Sequence, residues 1–145
     1  MVRRIFLALA FLAATAWSET KTDAVKLVDD AAKQFAAKPR EEVVAELNKV
    51  DGKWVKGELY VFAYDMEGVM VAHPKNSKLV GKNLLEVPDV DGKLFRKEIV
   101  ELAKSKGSGW VDYKYKNPQT GKTEAKTTYL KKVGDLILCC GIYKE

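Results

Sequence analysis

The spacing of apolar residues changes near Gly52, and that change constrains the fold more than any single motif. Before it, Ala24, Val25, Leu27, Val28, Ala31, Ala32, Phe35 and Ala36 recur at i, i+3, i+4 and i+7, the stripe of an amphipathic helix. Pro39 interrupts the stripe and is placed to open a second helix, with Glu41 and Glu42 in its first turn and Val43, Val44, Leu47 and Val50 on its apolar face. Asp51-Gly52 closes that helix. After it the period is two. Residues 58–64 are β-branched and aromatic, as a strand requires. Asp65-Met66-Glu67-Gly68 reads as a hairpin loop and 69–73 as the return strand, ended by Pro74, which has no N–H for a ladder. Residues 75–88 read as loop. Asp91 is expected to cap a helix carrying Leu94, Phe95, Ile99, Val100, Leu102 and Ala103, stopped by Gly107. Three strands follow, at 109–116, 122–133 and 136–143. The order α-α-β-β-α-β-β-β predicts one α+β domain built on a five-stranded antiparallel sheet.

Residues 1–18 read differently from the rest. Arg3 and Arg4 precede an uninterrupted apolar run at 5–14, and small residues at Ala14/Ala16 or Ala16/Ser18 fit the positions a signal peptidase reads. Residues 5–17 fall short of the roughly 20 apolar residues that span a bilayer, so a cleaved secretory leader is expected. That leaves 19–145 as a single exported domain, periplasmic or secreted. The formal charge of +5 includes the two leader arginines, and the other basic residues are interleaved with acidic ones along the chain. Such a balance describes a solvated surface, not a nucleic-acid footprint.

The residue types for catalysis and metal binding are sparse. His73 is the sole histidine, and no nucleophile elbow surrounds it. One His and two adjacent Cys are too few for a zinc site. Gly107-Ser108-Gly109 follows a helix instead of opening one, so it is no phosphate loop. Asp89-Val90-Asp91-Gly92 lacks the later ligands of a calcium loop, because Val100 stands at the twelfth position. Neither an enzyme nor a cofactor is expected. In a strand, Cys139 and Cys140 point to opposite faces, one thiol into the core and the other outward, where it could link two copies in an oxidising compartment. The strained geometry of a vicinal disulfide favours two structural cysteines instead.

A family resemblance emerges from seven short motifs in order. Residues 60–74, YVFAYDMEGVMVAHP, and then Val80-Gly81-Lys82-Asn83 carry the patterns D-x-x-G-x-x-x-A-H-P and V-G-K-N. Asp89-Val90-Asp91-Gly92 precedes a helix, Gly107 to Tyr113 (GSGWVDY) opens a strand, and Asn117-Pro118 turns it. Lys126-Thr127-Thr128-Tyr129 lies in the next strand and Gly141-Ile142-Tyr143 ends the last. Over 23–144 the chain resembles a single Cache domain of the second type. The resemblance implies a long N-terminal helix packed on a PAS-like five-stranded antiparallel sheet. It also implies an extracytoplasmic sensor that binds a small molecule, a short carboxylate or an amino acid, between sheet and loops. Such domains serve chemoreceptors and kinases. With a cleaved leader and nothing after Glu145, this chain is expected to signal through a partner such as a membrane receptor or kinase. It could also pair with a second copy through its N-terminal helix. An accessory interaction module that keeps the fold without an active pocket is the alternative.

A small carboxylate needs a cationic or N–H donor and aromatic walls that exclude water. Tyr60, Phe62 and Tyr64 share one face of the first strand by period two, and Val69, Val71 and His73 share one on the second. Trp110 and Tyr113 come from the third strand, although parity does not say which of them faces the pocket. Lys126 on the fourth strand is the first candidate, raised above an ordinary strand lysine by the family match, and His73 is the second. Tyr129 lies three residues from Lys126 and so points the other way.

Overall fold

The structure is a computed structural model that describes residues 20–144; the expected leader at 1–18 lies outside the described residues. Helix α1 (Lys21–Phe35) opens on a capping box. The Thr20 hydroxyl accepts from the Asp23 N–H at 3.3 Å while the Asp23 carboxylate accepts from the Thr20 N–H at 2.8 Å. Six of the eight predicted stripe residues are buried, Ala24, Leu27, Val28, Ala31, Ala32 and Phe35, whereas Val25 is half-buried and Ala36, the C-cap, is exposed. Helix α2 (Arg40–Leu47) begins after Pro39 and buries only Val43 and Leu47. It ends earlier than the spacing predicts, leaving Val50 61% exposed beyond it. The reason lies in Asn48, whose side chain turns to the sheet: its Nδ2 donates to the Val71 carbonyl at 3.2 Å and its Oδ1 accepts from the His73 N–H at 3.0 Å.

The strand predicted at 58–64 is two strands. A small hairpin of β1 (Val55–Lys56) and β2 (Leu59–Tyr60) turns at Gly57, whose φ of 60° suits glycine. At the junction the Val61 N–H donates to the Trp54 carbonyl, and β3 (Phe62–Asp65) then enters the main sheet. The hairpin loop 65–68 leads to β4 (Met70–Ala72). A 3-10 turn at Ser77–Leu79 and a loop follow, then helix α3 (Phe95–Lys106), stopped by left-handed Gly107 as expected. Asp91 does not cap α3. Leu94 holds the cap position, and Asp91 sits in a turn organised by Asp89, whose carboxylate accepts from the N–H groups of Asp91, Lys93 and Lys114. Long strands β5 (Ser108–Lys116), β6 (Thr123–Val133) and β7 (Leu136–Tyr143) complete an antiparallel sheet ordered β4-β3-β7-β6-β5.

Both faces of this sheet are covered. Helices α1 and α2 bury Val61, Ala63, Ala72, Leu136, Leu138 and Cys140 on one side. Helix α3 and the Leu84 loop bury Tyr60, Phe62, Tyr64, Tyr113, Leu130, Ile137 and Cys139 on the other. Cys139 and Cys140 do point to opposite faces, but neither reaches solvent: both are thiols outside any disulfide, with no exposed surface. The expected outward thiol is absent because β7 lies inside a three-layer α/β/α stack. Among the described residues, no helix is long and apolar enough to cross a membrane.

Candidate functional site

The α3 side of the sheet carries the candidate site, and strand parity builds it. On β6, Lys126, Thr128 and Leu130 alternate with residues that face α1. Lys126 stands opposite Tyr113 on β5 and Tyr143 on β7. It is 2% exposed. Its Nζ lies 5.0 to 5.1 Å from the ring centres of Tyr60, Phe62, Tyr115 and Tyr143, and 6.0 Å from that of Tyr113. The negative faces of five rings thus surround one ammonium. Nζ donates to the Tyr60 hydroxyl at 3.3 Å. Tyr60 is hydrogen-bonded in turn to Tyr143, whose hydroxyl donates to the Lys116 carbonyl at 3.2 Å.

Burial dominates the electrostatics. It lowers Lys126 to about 8, with Arg96 adding to the effect and the thiols of Cys140 and Cys139 opposing it. It also pushes the Tyr60, Tyr64, Tyr113, Tyr115 and Tyr143 phenols upward, so they stay protonated. Among the described residues, no carboxylate stands within ion-pair distance of Lys126 or of Arg96. Arg96, on the first turn of α3, instead donates to the Tyr64 hydroxyl at 3.3 Å and the Val87 carbonyl at 3.4 Å, and it stacks over Phe95.

His73 closes one wall, its ring 5.2 Å from Tyr60 and 5.5 Å from Phe62. Its Nδ1 accepts from the N–H groups of Lys75 and Asn76 at 3.2 and 2.9 Å, which assigns the proton of the neutral ring to Nε2. Burial, followed by the charges of Lys126 and Arg96, lowers its pKa to about 3. The imidazole is therefore a neutral N–H donor. Beside the cage, Arg96 and Tyr115 also line an open cleft of about 240 Å³ with Val87, Val90 and Phe95.

The structure brings Lys126, His73, Tyr60, Phe62 and Tyr113 together. Tyr64 shares their face but lies further along the sheet, bonded to Arg96. Trp110 is a correction: it faces α1, with Lys21 4.5 Å above its ring and Tyr129 5.4 Å away. Trp110 lies three positions before Tyr113 on the strand, an odd offset, so only one of the pair can face the cage. The expected common face of Val69, Val71 and His73 also breaks up. Val71 packs toward the α1 side, whereas His73 lies past the end of β4 and turns to Tyr60 and Phe62. Sequence reasoning missed Tyr115, Tyr143 and Arg96. Period two from Tyr113 reaches Tyr115, and Tyr143 follows from its pairing with Lys126 once the register is known. Arg96 gave no signal, because an arginine on a helix ordinarily reads as solvated.

A long helix on a five-stranded antiparallel sheet, with a cationic aromatic interior beneath loops, defines a PAS-like sensor domain. The Cache domain family profile matches residues 18–145, and the chain belongs to that family. It is 35% identical over 103 residues, 70% of its length, to the sensor histidine kinase MctS of Rhizobium johnstonii. It is 33% identical over 88 residues, 59% of its length, to the methyl-accepting chemotaxis protein McpP of Pseudomonas putida. The matches span 20% and 16% of those proteins. A solved Cache chemosensory domain, described for its recognition of carboxylic acid, superposes with a TM-score of 0.72 at 27% identity. That match covers 88% of this chain and all of the other. The periplasmic sensor domain of a chemotaxis protein superposes with a TM-score of 0.68 at 26% identity, covering 86% of this chain and 90% of the other. This is a Cache sensor domain of the kind found in chemoreceptors and histidine kinases.

Proposed function

We propose that the domain binds a small carboxylate at Lys126 and passes its occupancy to a receptor or kinase partner outside the cytoplasm. The observation that carries this reading is a buried ammonium with no counter-ion among the described residues, ringed by phenols. A carboxylate would supply the missing charge and accept charge-assisted hydrogen bonds from Lys126, the Tyr60 hydroxyl and His73 Nε2. These groups donate to an anion, and Lys126 opposes a second cation beside it. That supports carboxylates without an ammonium group over amino acids. The likeness to a solved domain described for carboxylic acid recognition supports the same reading.

Thermal shift with acetate, lactate, succinate and glycine tests the proposal. At least one of the three acids is expected to raise Tm in a saturable manner, with glycine weaker, and Lys126→Met is expected to abolish the shift. A flat response to all three acids, or a shift that survives Lys126→Met, would refute it.

A further inference from the structure

Gly141 has no conformational reason to be glycine, since it is absent from the positions with positive φ and lies inside the regular ladder of β7. Space is the reason. A Cβ built at Gly141 would stand 2.9 Å or less from two atoms: 2.4 Å from Lys126 Cε and 2.4 Å from Thr128 Oγ1. Gly141 is the register partner of Thr128, one step diagonally from Lys126, whose direct partner is Tyr143. The Lys126 side chain thus leans along β6 and crosses the bare backbone of Gly141 before its ammonium enters the ring cage. Thr128 is held in the same place by its 2.7 Å hydrogen bond to the Tyr113 hydroxyl.

We propose that Gly141 is a positioning residue of the ligand site: its missing side chain forms the trough that delivers the Lys126 ammonium to the aromatic cage. The assignment rests on the proposed carboxylate reading for its bearing on affinity, but the placement of Lys126 is measurable without any ligand. In Gly141→Ala the backbone of the central strands cannot yield, and the Thr127 carbonyl closes the third side at 3.2 Å. The flexible end of Lys126 is the part that moves, away from the rings and toward water.

The test follows the titration of Lys126 in ligand-free protein carrying 13Cε-labelled lysine, with Lys126→Arg identifying the resonance. In the wild type, Lys126 is expected to titrate below the ordinary lysine value, as burial requires. In Gly141→Ala its midpoint is expected to rise by about one unit or more as the amine regains solvent, and its contacts to ring protons are expected to weaken. A folded Gly141→Ala protein whose Lys126 titration and ring contacts are unchanged overturns the proposal. The double variant Thr128→Ala/Gly141→Ala removes the second close contact and leaves only Lys126 to move, so the same rise is expected there. If neither variant folds, Gly141 serves the sheet and not the lysine, and the assignment falls. None of these outcomes depends on acetate, lactate or succinate binding, so a failure of the carboxylate reading registers separately.

Discussion

A cation taken out of water without a counter-ion works against folding, and Lys126 places that load in the centre of the domain. Its pKa of about 8 when folded and 10.5 when unfolded sets the sign. Between those values the unfolded chain binds more protons, so stability rises with pH across that window, and below about pH 8 the full penalty stands. Lys126→Met removes the charge and keeps the volume. It is expected to raise Tm of the ligand-free protein at pH 7 by about 3 °C or more, with the gain shrinking above pH 9 in calorimetric scans. His73 acts at the other end of the scale. Its folded pKa of about 3 lies below the ordinary 6.5, so the folded state binds fewer protons between those limits and stability falls as pH drops through them. The slope attributable to one such group reaches at most about 1.4 kcal/mol per pH unit. Urea unfolding from pH 4 to pH 7 should show that slope in the wild type and a flatter one in His73→Asn, whose side-chain oxygen can still face the Lys75 and Asn76 N–H groups.

The edge strands are managed by side chains from other elements. Asn48 bonds the Val71 carbonyl and the His73 N–H along β4, and the loop strand at 81–82 bonds both sides of Met70. At the opposite edge, Asp89 accepts from the Lys114 N–H while Lys93 donates to the Asp112 carbonyl. These contacts leave fewer free ladder groups for another chain to pair with. Asn48→Ala strands an N–H and a carbonyl at once and is expected to cost about 1–3 kcal/mol, read as a lower urea midpoint at unchanged m value. Amide exchange at His73 should accelerate more than at β6. Asn48 also shows how an element boundary escapes pattern reading. The apolar spacing continues to Val50, but a polar residue with partners at Val71 on β4 and at His73 just beyond it ends α2 first.

At the scale of the molecule, the three layers explain the paired thiols. Cys139 packs under α3 and Cys140 under α1, both without exposure, and burial raises the Cys139 thiol far above its ordinary range. Native protein is therefore expected to react with a thiol reagent only at its opening rate, with both groups reacting at once in denaturant. Fast labelling of either cysteine in native protein would contradict a sheet covered on both faces. The sequence alone carried the α1 stripe, the hairpin at 65–68, the stop at Gly107, the three long strands and the α+β class, because periodicity and turn chemistry are local. It carried the candidacy of Lys126 and His73 through short motifs. It did not carry the strand order, the split at Val61, the cap of α3 or the choice between Trp110 and Tyr113. Alternation says which residues of one strand share a face, but not which face meets which helix, nor how neighbouring strands slide. Lys126 meets Tyr60 across 66 residues of chain, and it does so only after register, layer order and the trough at Gly141 are settled by packing.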